Sequence, residues 1–82
     1  MPTVRVLLFD VLRREIGARE IALEVEPGAT GEVLLDRLGA EHAPVARHRP
    51  TVRLAVNRRY VPFEIVLEDG DEVALITPVS GG

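Results

Sequence analysis

Apolar residues alternate along residues 3–9, the stretch TVRVLLF. Val4, Val6 and Leu8 share one side of an extended segment, because successive strand side chains point to opposite faces. Leu7 and Phe9 make the second half of the other face apolar too. Residues 72–77, EVALIT, have the same character, with Val73 and Leu75 on one face and Ala74 and Ile76 on the other. A strand apolar on both faces is usually central and covered on both sides. Two stretches of plainer alternation lie between them. Over 19–26, Ile21, Leu23 and Val25 alternate with Glu20, Ala22, Glu24 and Glu26, predicting a half-buried strand with a wet outer face. Over 51–57, Val52, Leu54 and Val56 alternate with Arg53, Ala55 and Asn57 and predict a third strand of this kind.

The period changes after Thr30, an N-cap candidate. Val33, Leu34 and Leu38, with Leu35 between, form an amphipathic stripe over a main helix near 30–38, and Gly39 is its expected stop. Asp10 is expected to cap a shorter helix over 11–16, ended by a left-handed Gly17. Residues 40–50 hold Pro44 and Pro50 without periodicity and are expected to be loop. Asn57-Arg58-Arg59 reads as a turn into a short return strand at Tyr60-Val61, which Pro62 confines to an edge. Glu68-Asp69-Gly70-Asp71 is a second turn, and Pro78 ends the final strand.

The order is strand, strand, helix, strand, short strand, strand. Placing the two doubly apolar strands side by side puts the main helix over one face of a mixed sheet. That is an α+β layer architecture, the ubiquitin-like β-grasp, over residues 1–77, followed by a short flexible tail at 78–82.

Composition restricts what such a domain does. With 82 residues there is room for one small domain and little room for a deep cleft. The apolar share of 46% and charged share of 28% fit a folded globule, and the net charge of −3 is too small to steer partners alone. No apolar run approaches the ~20 residues of a spanning helix. The amino terminus lacks the basic region of a signal peptide, so a cytoplasmic protein with no membrane partner is expected. Cysteine is absent, which excludes disulfides, cysteine zinc sites and cysteine nucleophiles. Lysine is absent as well, so no side-chain amine is present to accept an isopeptide bond.

Most clusters of polar residues read as solvated surface. His42 and His48 have no third ligand in the sequence, and no metal site is expected. Arg47, Arg49, Arg53, Arg58 and Arg59 form a stretch free of acids, but aromatics are only 4% of the chain. A stacking platform for nucleic acid is therefore not expected. Glu64, Glu68, Asp69, Asp71 and Glu72 lie in and beside a turn. Gly81-Gly82 is different. It follows a central strand directly, and a side-chain-free end suits passage through a narrow channel into another protein's active site. Extended, the five residues from Pro78 span roughly 17 Å.

Three stretches carry a family resemblance: VRVLLFDVLRREIG (4–17), AVN (55–57) and LEDGDEVALITPVSGG (67–82). On them the chain resembles the MoaD/ThiS family of sulfur carriers, in particular the small subunits of molybdopterin synthase. Thr77 stands where the first proline of a PPVSGG-like ending often stands. The resemblance implies a carrier that is not catalytic alone and binds no cofactor. An E1-like adenylating enzyme would use ATP to activate Gly82, and a sulfur donor would convert it to a thiocarboxylate. Gly81 would help thread the tail into the synthase large subunit. Two charged carriers would supply the dithiolene sulfurs of molybdopterin. The resemblance further implies partner contacts at Phe9, Tyr60 and Ile76, with Pro78 and Val79 in the tail. Three other uses fit the same residues: a sulfur carrier for thiamine thiazole synthesis, a protein modifier joined through Gly82, and a binding module with an inert tail.

Overall fold

The computed structural model describes residues 1–78. One mixed sheet contains β1 (Thr3–Leu8), β2 (Glu20–Glu24), β3 (Arg53–Val56), β4 (Arg59–Val61) and β5 (Glu72–Ile76), in spatial order β2-β1-β5-β3-β4. β1 is parallel to β5 and antiparallel to β2, and β3 is antiparallel to β5 and β4. The two doubly apolar strands are therefore adjacent and central. β4 is an edge strand, where Pro62 removes no ladder hydrogen bond.

Helix α2 (Gly31–Glu41) supplies Leu34, Leu35 and Leu38 to a core shared with Val4, Val6 and Leu8 of β1 and Val73 and Leu75 of β5. Thr30 caps it, its hydroxyl accepting from the Val33 N–H at 3.3 Å. The arrangement is the ubiquitin-like β-grasp. No helix among the described residues is long and apolar enough to cross a membrane.

Four local expectations are corrected. Helix α1 (Asp10–Ile16) has Phe9, not Asp10, at its N-cap position, and no side chain caps it. Asp10 instead takes φ 48°, turning the chain sharply out of β1 in a region aspartate tolerates better than most residues. Gly17, at φ 83°, ends α1 as expected. Val33, placed in the apolar stripe, is 51% exposed, while Leu35 is fully buried beside Leu34. Gly39 does not stop α2. A Cβ there would stand 3.4 Å from the Ala46 Cβ, so the glycine permits close packing of a neighbouring helix.

That neighbour is the fourth correction. Residues expected to be loop form α3 (Ala43–His48) and a 3-10 turn (Arg49–Thr51). Pro44 and Pro50 each fall in a first turn, where the missing N–H is not needed. Val45 is fully buried and brings α3 into the core. Polar side chains hold its far end. His48 Nε2 and Arg47 each lie 3.1 Å from Glu15 Oε1, and Arg49 donates to Asp36 at 2.8 Å.

The acidic turn before β5 is a hydrogen-bonded tie. Asn57 and Arg58, at φ 52° and 71°, form the two-residue β3–β4 turn, with the positive φ at both positions that a type I′ hairpin requires. Asn57 Nδ2 donates to Asp71 Oδ1 at 3.0 Å, and the Glu72 N–H donates to Asn57 Oδ1 at 3.0 Å. Asp71 Oδ2 accepts from the Glu68 N–H, and Asp69 Oδ1 from the Thr3 N–H, both at 2.8 Å. These acids order the chain around the start of β1 and β5.

Gly31 is the tightest backbone position. Its N–H donates to the Ile65 carbonyl at 3.0 Å. A Cβ would overlap Leu54 Cδ1 and stand 3.1 Å from the Phe63 carbonyl oxygen. Leu54 is 1% exposed and packed in the core. Gly31→Ala is expected to cost about 1–3 kcal/mol, the usual penalty of overpacking. Urea unfolding reads this as a lower midpoint at an unchanged slope. An unchanged midpoint would show that the 63–65 segment yields freely.

Candidate functional site

The sheet face opposite α2 is open. Strand register decides which residues meet there. Leu7 pairs with Ala74, Ala74 with Ala55, and Ala55 with Tyr60, so β1, β5, β3 and β4 each give one residue to a single row. Ile76, paired with Arg53, begins the next row. Phe9 follows β1 with extended dihedrals (φ −129°, ψ 156°), which keeps it on the Leu7 side. Phe9, Tyr60 and Ile76 line one shallow groove of about 400 Å³ with Leu7, Ala55 and Ala74.

Exposure sets this groove apart from the core. Phe9 is 43% exposed and Tyr60 70%, and neither belongs to the packed cluster under α2. Burying such side chains against a partner would remove a large apolar area from water. A second groove of about 670 Å³ lies on the other side of Tyr60, where Val52, Arg53, Pro62 and Phe63 line it. Pro78 stands at its rim and also borders a third depression with Asp10, Arg14 and His48.

Three of the residues singled out from the sequence, Phe9, Tyr60 and Ile76, are thus brought together. Pro78 is exposed beside the neighbouring groove, not in the one that Phe9 lines. Val79, Gly81 and Gly82 lie outside the described residues. Ala55 and Arg58 were missed as members of the face. Alternation marks Ala55 as opposite Leu54 and Val56, but only the β3–β5 register sets it between Ala74 and Tyr60.

Charges around the stripe differ in how far they are satisfied. Arg5 lies 3.3 Å from Glu20 and 3.1 Å from Glu72, an exposed network on the β1 side. The acid-free arginine stretch divides. Arg47 and Arg49 are held by Glu15 and Asp36, whereas Arg53, Arg58 and Arg59 form no ion pair with another described residue. Among the described residues no polar side chain is buried, and no three His, Asp or Glu residues are grouped to hold a metal.

Comparison with known proteins places this surface in a family. The ThiS family model matches residues 6–82. A molybdopterin synthase sulfur carrier subunit from Mycobacterium tuberculosis is 38% identical over 85 residues, with both chains covered completely. Among solved structures, a putative molybdopterin converting factor subunit 1 from Pyrococcus furiosus superposes with a TM-score of 0.86. It is 29% identical and covers 96% of this chain and 100% of its own. The small archaeal modifier protein 1 of H. volcanii gives a TM-score of 0.83 at 25% identity, over 96% of this chain and 100% of its own. Subunit 1 in a complex of subunits 1 and 2 of the molybdopterin-converting factor from Helicobacter pylori shares the fold, with a TM-score of 0.71 at 21% identity over 98% and 99% of the two chains. With its β-grasp sheet and a match from Val6 through the Gly-Gly sequence, this chain belongs to the ThiS family.

Proposed function

We propose that the chain is the sulfur carrier subunit of a molybdopterin synthase, working in the cytoplasm. The family match through Gly81-Gly82 carries this reading, and the full-length relative that bears that name supports it. The working group is the Gly82 carboxylate. An E1-like enzyme binds ATP, the carboxylate oxygen attacks the α-phosphorus, and pyrophosphate leaves. Sulfide-level sulfur released by a donor then attacks the acyl carbon, AMP leaves with the anhydride oxygen, and Gly82 carries a thiocarboxylate. The tail delivers that sulfur inside the large subunit to the cyclic pyranopterin precursor, and two deliveries complete the dithiolene. The carrier itself binds no cofactor. Its own part is to dock through the open-face stripe and present a carboxylate that its partners activate and unload. The absence of cysteine fits this chemistry, because the sulfur rides on the main chain.

A second reading, a protein modifier joined through Gly82 to target lysines, is favoured by the likeness to the archaeal modifier. It uses the same activated carboxylate. Intact mass separates the two: an oxygen-for-sulfur change with a co-purifying large subunit supports the carrier, and a ladder of larger conjugates supports the modifier. The thiamine-pathway carrier differs in its partner, a thiazole-forming enzyme.

Docking through the stripe makes a prediction about stability against binding. Phe9→Ala and Tyr60→Ala are expected to leave unfolding within about 1 kcal/mol of the parent, since both side chains are exposed. Ile76→Ala, at a half-buried position, costs somewhat more. Each is expected to weaken binding to the large subunit, by about 2 kcal/mol or more where an anchor is a hot spot. Calorimetric titration beside thermal unfolding checks this. Variants that lose stability but, below their lowered melting temperature, bind as tightly as the parent would mean the stripe is packing and not interface.

Adding one residue after Gly82 tests the tail. Fold and docking are expected to survive, with stability changed by no more than ~0.5 kcal/mol. Activation is expected to fail, because the carboxylate moves by up to ~3.5 Å and an amide takes its place. ATP–pyrophosphate exchange with the activating enzyme reads the difference. Equal exchange by the extended chain, without trimming, would show that Gly82 is not the working end.

A further inference from the structure

The apolar stripe crosses the sheet between two regions of opposite charge. On the β1–β2 side, register places Glu24, Glu20 and Arg5 on the open face, with Glu72 of β5 beside Arg5. Arg5 is shared between Glu20 and Glu72, so its charge is satisfied within the face and an excess of acid remains there. On the β3–β4 side stand Arg53, paired across strands with Ile76, and Arg58, which lines the groove with Phe9, Tyr60 and the Arg5-bound Glu72. Both are exposed, and neither forms an ion pair with a described residue. Glu64 borders the Arg53 groove, but it too forms no ion pair there. The chain is acidic as a whole, so this positive end is a local feature of the face.

Hydrophobic contact alone has no direction. Charge supplies the direction, because like charges brought together across an interface are costly and complementary ones steer encounter. This inference rests on the carrier reading above, in which the occupant of the face is the synthase large subunit. We propose that the mating surface of that subunit carries carboxylates opposite Arg53 and Arg58, and that these two arginines set the rate and the single orientation of docking. The orientation has a chemical use. Ile76 ends β5 two residues before Pro78 and Arg53 is its cross-strand partner, so docking in the other sense would aim the tail away from the partner's reaction chamber.

The test is stopped-flow association of the full chain with its purified large subunit, from low to high salt. The parent is compared with Arg53→Gln/Arg58→Gln and with Arg5→Gln. The double variant is expected to unfold at the parent's temperature. It should associate about tenfold more slowly at low salt, lose most of the parent's salt dependence, and dissociate at nearly the parent's rate. Arg5→Gln should leave association as fast as in the parent or faster. An on-rate and salt slope equal to the parent's in the double variant would overturn the charge assignment. If Phe9→Ala still weakens the complex in that case, the carrier reading stands without it. Failure of the parent to bind the large subunit at all would overturn both. A labelled single-stranded oligonucleotide is the remaining arm. Its capture by the parent and not by the double variant, with large-subunit association unchanged, would reassign the arginines to nucleic acid and overturn the proposal.

Discussion

Parallel pairing of β1 with β5 at the centre of the sheet sets both faces of the molecule at once. Parallel neighbours cannot be joined by a tight turn, so the chain between them must wrap around the sheet. Here the wrapping supplies β2, α2, α3 and the β3–β4 hairpin. The pairing also fixes phase. Val6 meets Val73 and Leu8 meets Leu75 beneath α2, while Leu7 meets Ala74 on the open side. A slip of one residue would exchange the two sets and expose the core. The ties at Asn57, Asp69 and Asp71 hold the starts of β1 and β5 in that phase.

The core and the open face then divide the work. Leu34, Leu35, Leu38 and Val45 close one side of the sheet, so stability does not require the other side to be covered. The open face is free to keep Phe9 and Tyr60 in water, where they are available to a partner. Small residues at positions 55 and 74 hollow the middle of the row, and larger ones at 7, 9, 60 and 76 bound it. The last strand contributes to both layers, with Val73 and Leu75 in the core and Ala74 and Ile76 on the open face.

Fold alone does not select among the uses this architecture supports, since carriers and modifiers have similar sheets. The residues that made the family resemblance strongest serve two separate ends. Asn57 and the acidic turn are structural ties. The Gly-Gly sequence lies outside the described residues, and under the proposed function it is the group that reacts. Recognising the family from these stretches therefore identified the scaffold, and under the proposed function it also points to a chemical handle.

Much of this was legible in the sequence because alternation with period two is a local property. The central strands, the edge at Pro62, the Thr30 cap and the Gly17 stop each follow from residues within a few positions of one another. The apolar character of Leu7, Ala74 and Ile76 on the second face was legible for the same reason. What tertiary structure decided was every relation between distant segments. Gly39 reads as a helix stop until Ala46 is seen packed against it. Residues 43–48 lack a periodic pattern because one buried side chain, Val45, suffices to anchor so short a helix, and its charged end is held by Glu15 from another helix. Arg47 and Arg53 look alike in the chain, yet one is neutralised by α1 and the other forms no ion pair with a described residue. Sequence determined which side chains each element offers; register and packing, which join residues far apart in the chain, determined which of them remain free to act.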